Sequence, residues 1–288
     1  MIRFWFSLLF KSMPSLVLLL ISVSRNSSFS SMVLRNKIHL DLSGECCVLG
    51  NGPSLKEDLE NVIKERGDFF CVNHFADSDF YEMIKPKFYT FLDPYFWMPD
   101  AQESYIEKRK ATFSKISNST KWPLVVFLPK HADLSFFKKN IINPNVHFFI
   151  YNSVSRIDIE DELYVKILRT RLISPYTINV LPQAIFLSVL IGYKKVSFYG
   201  ADTSWHQNLL IDNETNEVKM ERNHFYGSEL VRVYKDCQGQ EASNITHEIM
   251  KVYQTLKVYG QIKLFSDAMG AEVINKSSFS WVDCFPRQ

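Results

Sequence analysis

Apolar strand-like runs alternate with helical patterns along most of this chain, and this alternation constrains the fold more than any other feature. The strand-like runs cover residues 45–50, 68–73, 86–93, 123–129, 145–151, 194–200 and 271–275. The helical patterns cover residues 54–66, 100–118, 177–191 and 241–259. Several strands are unbroken apolar runs, as expected when helices cover both faces of a parallel sheet. We therefore predict a doubly wound α/β fold with one mostly parallel sheet, in a single domain over residues 45–288.

The composition suits one such domain and argues against several other classes of protein. The 288 residues are 46% hydrophobic and 22% charged, which allows a large buried core. The net charge of +2 lacks the clustered positive excess of a nucleic-acid-binding protein, so we predict no nucleic-acid partner. Five cysteines, an odd number without a C-x-x-C pair, predict buried free thiols and no metal site.

Two local patterns add detail to this α/β alternation. Residues 209–222 are polar and predict a hairpin that turns at Asp212–Asn216. The helical pattern over 241–259 carries apolar residues on one face, namely Ile245, Ile249, Val252, Tyr253 and Leu256.

The N-terminal residues differ from the rest of the chain. Residues 16–23 are an apolar run flanked by basic residues, and the run reaches the length of a membrane span, about 20 residues, only if Lys11 and Pro14 are included. A signal peptide, a weak transmembrane anchor and an interfacial helix all fit this pattern. We predict that residues 1–31 are a membrane-associating segment or, with Met32 as the start, a non-native extension, and that residues 32–44 are a linker.

A glycine-rich turn joins the first strand to the first helix. The turn reads Gly50-Asn51-Gly52-Pro53-Ser54, and Glu57 stands three residues after Ser54, which is the spacing of a capping box. Glycines let a backbone approach a ligand closely, and free N–H groups at a helix start suit a phosphate. The turn is neither G-x-G-x-x-G nor a Walker loop.

Polar residues also follow three other predicted strands. Asn73 ends the second strand, Asp93 ends the third, and Asp202 and His206 follow the sixth. Ligands of open α/β sheets bind outside the carboxyl ends of the strands. The sequence therefore predicts a ligand site at this edge of the sheet.

Four segments, in order, resemble those of the bacterial sialyltransferases of glycosyltransferase family 42: VLGNGPSLKE, CVNHF, YTFLDPYFW and LIGYKKVSFYGADTS. The resemblance covers residues 45–95 and 177–228. The chain also shows a broader kinship with the MptE-like pterin diphosphokinase domain family of surface-polysaccharide clusters, which shares the G-x-G-P-S turn and a closing segment like GAEVINKSSFSWVDCF. The resemblance implies a Rossmann-like sheet, in a GT-A-like variant.

The sialyltransferase resemblance implies transfer from a CMP-activated sugar, sialic acid or a relative, without a metal. It implies a nucleotide site formed by Gly50, Asn51, Gly52, Pro53, Ser54, Asn73, Asp93 and Asn179. The family's carboxylate-binding arginine is absent, because Tyr176–Asn179 stands in its region.

Transfer to a hydroxyl group needs a general base. The family's histidine-bearing loop resembles the segment around His224, although Ser228 stands at the position of the family's base. We predict His224 as the base, with His206 as a rival that contacts the leaving phosphate, and Asp202 as a residue that orients a histidine or binds ligand hydroxyls.

The predicted partners are a nucleotide sugar, a glycan or lipid-linked glycan acceptor and the inner membrane surface, in the synthesis of a surface glycan such as lipopolysaccharide. The sequence leaves homo-oligomerisation open. Two alternatives also stay open: an MptE-like diphosphokinase, which requires a divalent metal and a nucleoside triphosphate, and a non-catalytic protein that binds a nucleotide sugar.

Overall fold

A seven-stranded parallel sheet organises the protein. The computed structural model describes residues 42, 44–153, 159–224 and 227–288; for residues 222–229 only the backbone is described, and not at 225–226. The strands of the sheet are β1 (Cys46–Leu49), β2 (Asp68–Val72), β3 (Phe88–Thr90), β4 (Leu124–Pro129), β5 (Val146–Tyr151), β6 (Lys195–Tyr199) and β10 (Glu272–Asn275). Every strand pair in this sheet is parallel, and the spatial order is β10-β6-β1-β2-β3-β4-β5. The predicted doubly wound α/β fold is confirmed.

Helices cover both faces of the sheet. They are α1 (Leu55–Val62), α2 (Tyr81–Ile84), α3 (Glu103–Ser119), α4 (Leu134–Asn140), α5 (Asp161–Leu168), α6 (Val180–Ile191) and α7 (Ile245–Ala268). Successive residues of β1 point to opposite faces, so Cys46 and Val48 pack in one core with α5, α6 and α7. Cys47 and Leu49 pack in a second core with α1 to α4. Apolar packing on both faces explains why the strands are unbroken apolar runs.

The predicted strands all form, but several element lengths differ. Strand β3 is restricted to residues 88–90, and α1 ends at Val62. Helix α6 begins at residue 180 because the Asn179 side chain accepts a hydrogen bond from the Leu181 N–H and caps it. Helix α4 was not predicted, because it is only seven residues long.

Helix α7 does not pack through the apolar face that was predicted over residues 241–259. Ile245, Ile249 and Tyr253 are 40%, 51% and 56% exposed. The buried face instead begins with Glu248, whose carboxylate is held by the Ser243 hydroxyl and the Lys251 ammonium group. A charged residue is buried here because it is paired, which a pattern of apolar spacing does not reveal.

A small antiparallel sheet follows β6. It contains β7 (Leu209–Ile211), β8 (Val218–His224) and β9 (Gly227–Arg232). The predicted hairpin is confirmed: β7 pairs with β8 through a turn in which Asp212 Oδ1 accepts the N–H groups of Glu214 and Thr215. An aspartate that bonds the backbone two and three residues ahead fixes such a turn locally, so the sequence was sufficient to predict it.

The thiols agree with the prediction, whereas the N-terminal segment is outside the described part. All five cysteines are free, and Cys46, Cys47 and Cys71 are buried in the strands. Burial raises the pKa of the Cys46 thiol to about 12. Residues 1–31 and most of the predicted linker 32–44 lie outside the described residues, although Leu42 packs against the core. None of the helices in the described ranges has the length and apolar character of a membrane span.

Candidate active site

The sheet changes its winding direction between β1 and β6. From β1 the chain adds β2 to β5 on one side, and it then returns through α6 to place β6 on the other side of β1. The loops after β1 and β6 therefore leave the sheet side by side at its carboxyl edge. Such a switch point is where ligands of open α/β sheets bind.

The two loops pack against each other so closely that glycine is required in both. Gly50 N–H donates to the Tyr199 carbonyl at 2.9 Å, and Gly52 N–H donates to the Gly200 carbonyl at 3.1 Å. A Cβ atom on Gly52 would lie 2.0 Å from Asp202 Oδ2, and one on Gly50 would lie 2.6 Å from the Gly200 oxygen. The close approach that we expected between these glycines and a ligand is thus already made between the two loops.

Asp202 holds the start of α1, which corrects the predicted capping box. Asp202 Oδ1 accepts the Ser54 N–H at 3.0 Å, and Asp202 Oδ2 accepts the Ser54 hydroxyl at 2.7 Å. The Ser54 side chain makes no cap hydrogen bond within its own helix, and Glu57 is exposed. The carboxylate also occupies the positive end of α1, so a residue 148 positions away does what we expected of Glu57.

The prediction of free N–H groups at this helix start is wrong for residues 54–57. The Ser54 N–H is bound by Asp202, and the next three N–H groups donate to the carbonyls of Gly52, Pro53 and Ser54. A phosphate would face a carboxylate at this point. Binding of a nucleotide by the turn stays a prediction, and it would have to use other groups of the two loops.

A first cavity, of about 570 Å³, opens over the switch point. Of the predicted site residues it is lined by Asn51, Gly52, Pro53, Asn73, Asp93, Asn179 and Asp202. Thr203 and Asn73, which also line it, have positive φ angles of 52° and 45°. Such backbone strain is rare for a β-branched residue and concentrates at functional sites. Gly50 and Ser54 lie behind this surface, in the packing between the loops.

Asn73 and Asp93 form a pair at the far side of the first cavity. Asn73 Nδ2 donates to Asp93 Oδ2 at 2.5 Å, and Asn73 Oδ1 accepts the Leu92 N–H at 3.3 Å. Tyr89 fixes the backbone of Asn73 by donating to its carbonyl at 2.6 Å. Burial raises the pKa of Asp93 to about 6, while Asn73 and the nearby Lys251 act in the opposite direction.

Among the described contacts, His206 makes no hydrogen bond to the Asp202 carboxylate, which is bound to Ser54. His206 lies in a 3-10 helix (Trp205–Asn208), with its ring 4.6 Å from that of Trp281 in an edge-to-face contact. His206 is absent from the described lining of the first cavity. His224 is at the end of β8, where its backbone pairs with Gly227, but its side chain lies outside the described residues. Both catalytic roles stay predictions.

A second cavity, of about 850 Å³, adjoins the first. Asp93, Ile178 and Lys251 line both cavities. The second cavity is rich in aromatic and amide groups, which include Tyr95, Tyr105, Tyr151, Tyr176, Gln183, Gln238 and Gln254. Cavities with such linings suit ligands that combine hydroxyl groups with apolar ring faces.

Lys251 and Gln183 are among the residues of these cavities that sequence reasoning missed. Lys251 lies on the predicted helix 241–259, but its position beside Asp93 depends on how α7 crosses the sheet edge. Gln183 is a polar residue in the almost entirely apolar helix α6. An uncharged amide in such a run was the signal that could have identified Gln183.

Metal ligands are not grouped in the part of the chain that the structure describes, where no cluster of three or more His, Cys, Asp or Glu side chains occurs.

Comparison with solved structures gives a likeness of fold. No family model and no curated protein matches this chain. The structure of the MAf glycosyltransferase from Magnetospirillum magneticum AMB-1 is similar, with a TM-score of 0.49 and 11% sequence identity. The likeness covers 87% of this chain but only 34% of that protein, so this chain spans about a third of its length.

Proposed function

We propose that this protein is a glycosyltransferase that transfers a sugar from a nucleotide-activated donor to a glycan hydroxyl. The observation that carries the proposal is the pair of adjoining cavities at the carboxyl edge of the sheet. The first lies at the switch point, where doubly wound sheets bind nucleotides. The second has aromatic and amide groups suited to a sugar, and Asp93 stands between them.

The donor that we propose is a CMP-activated sugar, sialic acid or a related acidic sugar. The order of the four sialyltransferase-like segments supports this choice, since two of them supply the loops after β1 and β6. The lining of the first cavity combines asparagine amides and hydroxyl groups with apolar side chains, which suits a ribose and the faces of a base. Within the described lining, Lys251 is a cation that can meet a phosphate or a sugar carboxylate while it also pairs with Glu248.

The acceptor that we propose is a glycan or a lipid-linked glycan at the inner face of the membrane. Residues 1–31, with their apolar run and flanking basic residues, would hold the enzyme there. Recognition of a CMP-linked acidic sugar would make the protein part of surface-glycan synthesis.

A nucleotide screen by thermal unfolding tests the proposed donor class. CMP at 100 times its Kd should stabilise the protein by about 2.7 kcal/mol, a rise of about 5–10 °C in Tm, without added Mg²⁺. Stabilisation by ATP only in the presence of Mg²⁺ would favour the diphosphokinase alternative. The absence of any nucleotide effect would refute the proposal, and nucleotide binding without turnover would favour a non-catalytic binding protein.

A matched pair of asparagine substitutions localises the binding. Asn51 lines the first cavity and donates to the Val72 carbonyl at 3.1 Å, whereas Asn118 is exposed on α3 and bonds only Ser114 among the described residues. Asn51→Ala should reduce the CMP-induced rise in Tm, and Asn118→Ala should leave it unchanged. Gly52→Val is unsuitable as a test, because its side chain would collide with Asp202.

A further inference from the structure

We propose that the second cavity binds a pyranose acceptor and that Asp93, on the border of the two cavities, removes the proton from its attacking hydroxyl group. This inference rests on the proposed glycosyltransferase function and adds the acceptor site and the general base to it. It moves Asp93 from nucleotide binding to catalysis, and it gives His224 a rival for the role of base.

The location of Asp93 is the first argument. In a transfer reaction the attacking oxygen lies between the donor's anomeric carbon and the rest of the acceptor. A base must therefore reach the boundary between the donor and acceptor sites. Among the described titratable residues, only Asp93 and Lys251 line both cavities, and only Asp93 is an acid whose conjugate base can accept a proton at neutral pH.

The hydrogen bonding of Asp93 is the second argument. Asn73 fixes Oδ2, and Asn73 is itself buried and held through its side-chain oxygen and its carbonyl. Oδ1 of Asp93 makes no hydrogen bond to any other described residue, so it is available for a substrate hydroxyl. Asn73 is a positioning residue in this arrangement.

The electrostatics suit a base. Burial makes Asp93 a stronger base than an exposed aspartate, and with a pKa of about 6 it is still ionised at pH 7.5. Three charged or titratable groups face it, which are Lys251 of α7, Tyr95 after β3 and Cys237 after β9. The pKa values of Tyr95 and Cys237 are raised by burial, so neither of them titrates between pH 5 and 8.

An unpartnered buried amide is the evidence for a ligand in the second cavity. Gln183 is 1% exposed and lines this cavity. Its Oε1 accepts a long hydrogen bond from Thr177 at 3.4 Å, but its Nε2 has no partner among the described residues. A buried donor without a partner costs about 1–3 kcal/mol, which a ligand oxygen would offset.

The rest of the lining indicates the chemical class of that ligand. Tyr95 and Tyr105 stack with ring centroids 4.6 Å apart, and Tyr176 is exposed at the opening. The charges are mixed, with Lys235 beside Asp236, so no single sign of charge is selected. Aromatic surfaces with amide donors and no net charge fit the hydroxyl groups and apolar face of an uncharged pyranose.

The proposed transfer forms one bond to the anomeric carbon and breaks one. The acceptor oxygen forms a bond to the anomeric carbon of the donor as the bond from that carbon to the phosphate oxygen breaks. The electron pair of the broken bond stays on the phosphate, near Lys251. The acceptor proton passes to Asp93, which later releases it to water.

The base is tested by measuring transfer from CMP-N-acetylneuraminic acid to methyl glycosides of galactose, glucose and mannose with the full chain. Asp93→Asn should lower kcat by about 10²–10⁴-fold and leave the CMP-induced rise in Tm unchanged. Wild-type activity should fall below pH 6, and His131→Asn should keep this acid limb although His131 lines the same cavity. Transfer by Asp93→Asn above a tenth of wild type, or loss in His224→Ala alone, would overturn the assignment.

The acceptor site is tested by binding, without turnover. Saturation-transfer NMR should detect binding of the methyl glycosides to the wild-type protein. Gln183→Leu should lower the affinity for them at least fivefold and leave CMP binding unchanged. Gln254→Leu serves as a second variant if Gln183→Leu does not fold. No glycoside binding, or equal binding by the variants, would overturn the acceptor site even if CMP binds. Glycoside binding without CMP binding would instead refute the proposed function and, with it, the assignment of Asp93.

Discussion

Stability measurements can show whether Asp202, as in the structure, or Glu57, as in a capping box, is the partner that stabilises Ser54. Ser54 and Asp202 are 4% and 6% exposed, and two hydrogen bonds to the carboxylate join them. Asp202→Ala would leave the Ser54 N–H without a partner and remove a negative charge from the start of α1. We expect it to lower the free energy of unfolding by about 3–5 kcal/mol.

Ser54→Ala removes only the hydroxyl bond, so we expect a loss of about 1.5–3 kcal/mol. The double variant should lose no more than Asp202→Ala alone, because the hydroxyl bond is already absent there. Glu57→Ala is the matched control, and at this exposed position it should change stability by less than about 0.5 kcal/mol.

The assay is urea unfolding followed by circular dichroism, with the m value checked for each variant. The reasoning is refuted if Asp202→Ala costs less than about 1 kcal/mol, or if the effects of Ser54→Ala and Asp202→Ala simply add. A cost for Glu57→Ala equal to that of Ser54→Ala would restore the capping box.

Three further predictions concern stability, pH and the N-terminal segment. Gly52→Ala should lower the unfolding midpoint in urea, because the new Cβ would overlap Asp202. Gly260→Ala in α7 is the control: a Cβ there meets nothing within 4 Å, so the substitution should raise the free energy of unfolding by about 0.5–1 kcal/mol. The pKa of Asp93 is raised on folding, so its contribution favours the folded state below pH 4 and is lost as the pH rises to about 6. Asp93→Asn should therefore be more stable than wild type at pH 7, by up to about 3 kcal/mol, and the difference should shrink towards pH 4; a difference independent of pH would contradict this. Deleting residues 1–31 should leave the unfolding midpoint unchanged and abolish cosedimentation with anionic lipid vesicles, and a truncated chain that does not fold would show that the segment is structural.

The sequence was sufficient to predict the sheet and the edge of the sheet at which the first cavity opens. The apolar runs that predicted strands are buried on both faces, and this double burial is what makes a strand read as an unbroken apolar run. The hairpin turn at Asp212 was predictable for a similar reason, because its hydrogen bonds are made within four residues. The polar residues Asn73, Asp93 and Asp202 were found because strand ends are visible in the sequence.

The contacts of those residues were decided by the tertiary structure. Ser54 and Asp202 are 148 residues apart, and a motif read over four residues favoured Glu57 as the partner of Ser54. The burial of Glu248 at the start of α7 was likewise not predicted, because it depends on pairing with Lys251 rather than on apolar character.

Asp93 shows the same division most clearly. Its position after the third strand follows from the chain, but its raised pKa follows from burial between two cavities whose walls come from β2, α6 and α7. Local periodicity records which face of an element is buried, because neighbouring residues share that environment. The desolvation of one carboxylate depends on elements far apart along the chain, and only their packing in three dimensions determines it.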